Sequence, residues 1–164
     1  MIEQEYTLEE ISYSRKEDYR IIEAVFKSWF KNPKTLNYTD PRMSFPFNFK
    51  KWIAVSYTSH MGKTTTTVLK HRDWIIGHLS MRLEGTNAHI FHLFIDPDYR
   101  NKGLGTKMIH EMERHGHELG ALHFTLIVVK KNKAAISLYQ KLGYEKYGQS
   151  STEYIKMNKT LESD

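Results

Sequence analysis

The segment Asp98-Tyr99-Arg100-Asn101-Lys102-Gly103-Leu104-Gly105-Thr106-Lys107 joins an apolar, strand-like run, Ile90 to Ile95, to a helical pattern that begins at Gly103. Such a junction fixes two elements and the sharp turn between them, so it limits the fold more than any other stretch. A helix start presents unpaired N–H groups and a partial positive charge, which attract an anion. Glycines at that point let a bulky anion approach the backbone. Arg100, Lys102 and Lys107 add charge around it. The segment therefore reads as a phosphate-holding turn; a tight strand-to-helix turn with solvated cations is the alternative.

Two nucleotide fingerprints fail. A dinucleotide turn needs G-x-G-x-x-G or A, and the third position counted from Gly103 is Met108. The triplet Gly62-Lys63-Thr64 ends like a P-loop, but the required first glycine is Tyr57.

The rest of the chain reads as one mixed α/β domain over residues 1–164, with no repeat, linker or domain boundary. Ser14 to Phe30 carries Tyr19, Ile22, Val25, Phe26 and Trp29 at helical spacing, and Asn32-Pro33 stops it. Asn37 to Lys51 is irregular or short-helical. Strands are expected at Trp52–Tyr57, Trp74–Leu83 and Ala88–Ile95, with Glu84-Gly85-Thr86-Asn87 as a turn. His60 to Lys70 reads as a loop or an added hairpin. A helix is expected at Gly103–Leu119, capped by Gly120, a strand at His123–Val129, and a helix at Asn132–Leu142, capped by Gly143. Strands at Tyr144–Gly148 and Glu153–Met157 close the chain.

The acidic start, MIEQEYTLEE, is no secretory signal, and no run approaches the roughly 18 apolar residues of a membrane helix. The absence of cysteine excludes disulfides and thiolate metal sites and is compatible with a reducing cytoplasm, where the protein is expected. A net charge of +5 suits an anionic ligand. Nucleic acid is not expected, because the aromatics sit in apolar-periodic segments rather than on a basic face. Metal is not expected either. His89 and His92 point to opposite faces of a strand, and His115 and His117 diverge by roughly 200° on a helix.

The pattern Arg100-x-x-Gly103-x-Gly105 after Asp96-Pro97 resembles the acetyl-CoA pyrophosphate loop of the GNAT acyltransferase family. The likeness continues through His123–Val129 and through Asn132-x-x-Ala135-x-x-x-Tyr139-x-x-x-Gly143-Tyr144, so it covers roughly Ile90 to Gly148. Two motifs in the right order are more specific than either alone. The N-terminal half fits the family's order of elements but carries no identifying motif.

The resemblance implies a single GNAT-type domain: a mixed, mostly antiparallel sheet with a splayed parallel pair and helices on both faces. It implies acetyl-CoA as co-substrate, with pantetheine entering between the splayed strands against backbone groups of Leu93, Phe94 and Ile95. Pyrophosphate would rest on N–H groups from Lys102 to Lys107, with Gly103 and Gly105 allowing approach, Arg100 standing where the family usually carries Gln or Arg, and Asn101, Leu104 and Thr106 completing the expected binding residues. Asn132 is either a contact to the pantetheine arm or a helix N-cap. Tyr139 matches the tyrosine that protonates the departing thiolate; its alternative is a buried helix aromatic. His89 falls where several members carry a base, with Glu84 and a water relay as rivals. The Lys130-Lys131-x-Lys133 cluster either meets the ribose phosphate or is solvated.

The expected activity is transfer of acetyl to a primary amine by direct attack in a ternary complex, since no cysteine is present to carry the acyl group. The rival is a catalytically silent acyl-CoA sensor of the same fold. The acceptor, a small molecule or a protein amino group, is not specified by the sequence. Asp40, Glu84 and Glu153 are scattered carboxylates that suit a cationic amine, while Tyr38, Phe45, Phe47 and Phe49 either line a pocket or belong to the core. Monomer and homodimer both remain open.

Overall fold

The structure is a computed structural model that describes residues 5–161, the side chains of residues 60–62 excepted. The first four residues of the acidic start, the three C-terminal residues and the surroundings of Gly62 lie outside the described residues. Strands are β1 (Tyr6–Ile11), β2 (Thr64–His71), β3 (Trp74–Glu84), β4 (Asn87–Ile95), β5 (His123–Val129), β6 (Glu145–Lys146) and β7 (Tyr154–Thr160). Helices are α1 (Lys16–Trp29), α2 (Pro33–Thr39), α3 (Phe49–Ser56), α4 (Leu104–Glu118) and α5 (Lys133–Lys141).

The strands form one sheet in the order β1-β2-β3-β4-β5-β7-β6. Every neighbouring pair is antiparallel except β4 and β5. Their parallel ladder is short: Asn87, Ala88 and His89 face His123, Phe124 and Thr125, and pairing stops there. Beyond that point β5 stays paired to β7 along its whole length, while β4 stays with β3. The sheet is thus open between Ile90–Ile95 and Leu126–Val129.

Apolar side chains cover both faces. On one, α4 packs Leu104, Met108, Ile109 and Met112 against Leu79, Met81, Phe124 and Leu126. Helix α4 comes close because residue 116 is glycine: a Cβ there would lie 2.9 Å from both Met81 Sδ and Phe124 Cε1. On the other face Ile22, Phe26, Phe30, Phe49 and Trp52 build an aromatic layer beneath α1 and α3.

Three expectations need correction, and one segment without an assigned element proves to be a strand. Trp52–Tyr57, read as a strand, belongs to α3: Asn48 accepts from the Lys51 N–H as N-cap, and Phe49, Trp52, Ile53 and Ser56 are buried at helical spacing. A short apolar run has no decisive period of its own, and the cap lay just outside it. Most of the stretch left as loop or hairpin is strand β2, whose Thr66, Val68 and Leu69 are buried. The acidic N-terminal segment forms edge strand β1, paired along β2 with Lys70 Nζ 2.7 Å from Glu9 Oε2. Near the C-terminus only Glu145 and Lys146 of the expected penultimate strand join the ladder, and the last strand runs on to Thr160.

Candidate active site

Helix α4 starts from Gly103, whose φ of 76° is a left-handed conformation that glycine adopts without steric cost. No side chain caps this end, and the first backbone bond closing the turn is Lys107 N–H to Gly103 C=O at 3.1 Å. The N–H groups of Leu104, Gly105 and Thr106 therefore have no acceptor within the helix. They border a cleft of about 660 Å³ that runs from this helix start into the opening between β4 and β5. A side chain at position 105 would meet only Leu138 Cδ2, 3.5 Å away.

Most of the expected binding residues converge here. Leu93, Phe94, Ile95, Arg100, Asn101, Gly103, Leu104, Gly105, Thr106, Asn132 and Tyr139 all line the cleft. Arg100 folds back along its floor: Nε–H donates to the Ile95 carbonyl at 2.9 Å, and the guanidinium lies 5.1 Å from the Phe94 ring centre. Asn132 caps α5, its Oδ1 accepting from Ala135 N–H at 3.3 Å. Asn132 thus serves as the N-cap while also lining the cleft. Lys102 is exposed and does not line it, nor do Lys131 and Lys133.

Tyr139 is buried in α5 with its ring edge-on to Tyr144 at 6.0 Å. Its hydroxyl has no hydrogen-bond partner among the described residues, and burial alone raises its pKa above the ordinary phenol value. At neutral pH it is a protonated donor facing the cleft.

His89 is not part of the cleft lining, which begins at Ile90. It is the last residue of β4 paired with β5, and its Nδ1 lies 3.0 Å from Thr125 Oγ1. Burial first, then the positive charges of Arg82 and Arg42, lower its pKa to about 4, so the ring is neutral at pH 7. Glu84 is exposed at the far end of β3, 3.6 Å from Arg82. Asp40 is unavailable to an incoming amine: it is 3% exposed and bound to His92 and Arg42. Glu153 is also exposed, outside the cleft. Of the four aromatics, Tyr38 lines the cleft, Phe47 and Phe49 join the aromatic layer, and Phe45 is exposed.

For the cleft's second wall the sequence offered the Asn32 to Phe49 region and Tyr38 within it, without a motif to single out the other residues. Helix α2 supplies Lys34, Thr35, Tyr38 and Thr39, and Tyr38 Oη–H reaches the Lys131 carbonyl across the mouth at 3.2 Å. Polar residues at the end of a short helix carry no motif, so only the folded chain reveals them. Among the described residues no group of His, Asp and Glu is arranged to hold a metal ion, and no helix is long and apolar enough to cross a membrane.

A helix start facing a gap in an open mixed sheet defines a class: an α/β protein whose cleft suits an elongated anionic ligand. Residues 17–144 match the model of the Acetyltransferase (GNAT) family, and the chain belongs to that family. Among curated relatives, spermidine N(1)-acetyltransferase of Thermoplasma acidophilum is 27% identical over 89 residues, which is 54% of this chain and 55% of that protein. Thialysine N-epsilon-acetyltransferase of Sus scrofa is 34% identical over 59 residues, 36% of this chain and 35% of that one. The matched segments thus span about half or less of these relatives' own length. Among solved structures, the PaiA N-acetyltransferase of Thermoplasma acidophilum in complex with coenzyme A superposes with a TM-score of 0.73 at 18% identity, covering 96% of this chain and 99% of that one. Spermidine N-acetyltransferase of Vibrio cholerae, in complex with CoA and spermine, gives a TM-score of 0.73 at 17% identity, covering 94% and 95%. At these identities the superpositions establish the fold.

Proposed function

We propose that this protein transfers acetyl from acetyl-CoA to a primary amine, with both substrates bound together. The observation that carries the reading is the continuous cleft from the unpaired N–H groups of α4 to the gap beside β4. Pyrophosphate rests on the N–H groups of Leu104 to Thr106, where the helix start and Arg100 favour negative charge. The pantetheine arm lies along the open edge of β4. A backbone N–H near Leu93 or Phe94 polarises the thioester carbonyl and holds its developing negative charge.

The amine nitrogen attacks the carbonyl carbon, the C–S bond breaks, and the sulfur leaves as a thiolate that takes its proton from Tyr139 Oη. Tyr139 supports this role because its hydroxyl is protonated, faces the cleft and has no competing partner among the described residues. The amine must lose a proton before or during attack. A depressed pKa of about 4 makes His89 a weak acceptor, which favours loss to water. Holding both reactants in line supplies much of the rate.

Titration calorimetry with acetyl-CoA, on the parent and on Gly105→Val, tests the cleft. Micromolar binding by the parent and a loss of about 100-fold or more in the variant is the expected result. Gly105 is the informative position because a Cβ there meets only one ordinary contact, whereas a side chain at Gly103 is strained by its φ of 76°. Equal binding by both proteins would remove pyrophosphate from the helix start. An assay of released CoA with a panel of amines then separates an enzyme from a sensor that binds without turnover.

A further inference from the structure

Strand β4 carries one residue more than its partner can match. Phe91 stands opposite Ser80 and Phe94 opposite His78, so His92 and Leu93 together face Leu79. The bulge puts two consecutive side chains, Phe91 and His92, on the aromatic side of the sheet, and returns Leu93 and Ile95 to the other. His92 adopts a φ of 56°, a conformation that a residue with a side chain keeps only where its surroundings over-determine it.

Those surroundings are specific. The His92 ring stacks on Trp52 with centroids 3.7 Å apart. Its Nε2–H donates to Asp40 Oδ2 at 2.7 Å, and Tyr57 Oη–H donates to its Nδ1 at 2.8 Å. Its carbonyl accepts from His78 Nδ1–H at 2.8 Å, which leaves His78 Nε2 to accept from Tyr13 Oη–H. Asp40 is itself fixed by Arg42, through Nε at 3.1 Å and Nη2 at 2.9 Å. Ser80 Oγ–H completes the chain by donating to Tyr57 Oη at 2.8 Å. Asp40, Tyr57 and His92 are 3%, 1% and 4% exposed, so water does not compete for these bonds.

The opposite side of the same bulge borders the cleft through Leu93, and the β4–β5 ladder has already ended at His89. No β5 partner holds this part of β4, and β3 pairs with it only on either side of the bulge, at Phe91 and Phe94, so between them its backbone direction depends on what grips His92. We infer that Asp40 and Tyr57, by clamping the His92 ring, position the β4 bulge so that its N–H groups meet the thioester carbonyl. All three act as positioning residues: Asp40 and Tyr57 do not line the cleft, and His92, which borders it, turns its ring away to Trp52, Asp40 and Tyr57. The inference rests on the acetyl-CoA reading above and adds residues to it from the end of α2 and from the residue after α3.

Tyr57→Phe and Asp40→Asn are compared with the parent for kcat, KM for acetyl-CoA, thermal midpoint, and the amide proton shifts of Leu93, Phe94 and Ile95 in ¹⁵N spectra with CoA and with acetyl-CoA. Tyr57→Phe keeps the ring against Tyr13, 4.3 Å away, and removes the two hydrogen bonds of its hydroxyl, to His92 Nδ1 and Ser80 Oγ; the thermal midpoint checks that the fold is retained. The expected result is a fall in kcat of about 10-fold or more with KM changed by less than about threefold. The amide shift that distinguishes acetyl-CoA from CoA in the parent should also shrink. The double variant should lose less than the product of the two single effects, because both act through His92. His92→Gly adds a control: glycine accepts the left-handed backbone freely, so a fall in kcat there reports the lost clamp rather than relieved strain. Variants with lowered thermal midpoints but parental kcat and parental amide shifts would overturn the inference, leaving the cluster as packing alone. If the parent binds acetyl-CoA but turns over no amine, the amide shifts decide alone. A parent that binds no acetyl-CoA overturns the donor reading, and this inference with it.

Discussion

Tyr139 and His89 were singled out by one resemblance, yet the structure treats them differently. Tyr139 lines the cleft, and its hydroxyl has no hydrogen-bond partner among the described residues. Tyr139→Phe is therefore expected to lower kcat by about 10- to 100-fold while leaving acetyl-CoA affinity within about twofold, measured by steady-state kinetics beside calorimetry. An unchanged kcat would return Tyr139 to the helix core. His89 is held neutral, with its pKa down at about 4. No inflection near the ordinary imidazole value of about 6.5 should then appear in kcat/KM, which should rise with pH from 6 to 8 as the amine loses its own proton. His89→Ala should cost about tenfold or less. A limb near 6.5 that vanishes in this variant would restore His89 as the base. The residue types were legible in the sequence. Side-chain direction around the β4 bulge was not: strand alternation puts His89 and His92 on opposite faces, and the extra residue turns both to the aromatic side.

At the scale of elements, legibility followed local signals. Helix α4 announced itself by its glycine start, its apolar face and Gly120, and its observed bounds differ from the expected ones by a residue at each end. Helix α3 was hidden, because a β-branched and aromatic run reads as strand until Asn48 is recognised as its cap. Strand β1 was hidden because an exposed edge strand can be acidic: Thr7 and Glu9 face solvent while Tyr6 and Leu8 pack inward. The packing of α4 yields a prediction of its own. Gly116→Ala places a methyl group 2.9 Å from Met81 Sδ and the Phe124 ring. Overpacking of this kind costs about 1–3 kcal/mol, and the gain in helix propensity offsets about 1 kcal/mol of it. Urea titration should show a net loss of up to about 2 kcal/mol at constant m-value. Stabilisation by this change would mean that α4 can move off the sheet freely.

For the whole molecule, the buried imidazoles predict how stability depends on pH. Burial lowers the pKa of His78 to about 3 and that of His89 to about 4, and it lowers His92 against the opposing pull of Asp40. In the unfolded chain each returns to about 6.5, so between these values the unfolded state binds more protons. Stability is then full above about pH 6.5 and falls as pH drops toward 4. Asp40 works in the same direction at lower pH. Burial alone would raise its pKa, but hydrogen bonds from His92 and Arg42 outweigh burial and hold it well below the usual carboxylate range. Urea midpoints measured from pH 7.5 to 4.5 should decline steadily, and His78→Asn should flatten that slope. A midpoint independent of pH over this range would contradict the buried, neutral histidines.

The sequence by itself determined the anion-holding helix start, the two ordered motifs that mark the family, and the strand–helix succession from Ile90 to Gly143. Those features depend on residues adjacent in the chain: glycines for a turn, apolar spacing for a helix face, asparagine for a cap. Only the tertiary structure decided that β5 abandons β4 for β7, that α2 walls the cleft, and that Asp40, Tyr57 and His78 meet at His92. Their contacts join residues far apart in sequence, and a hydrogen bond in a buried interior depends on geometry that no local pattern encodes.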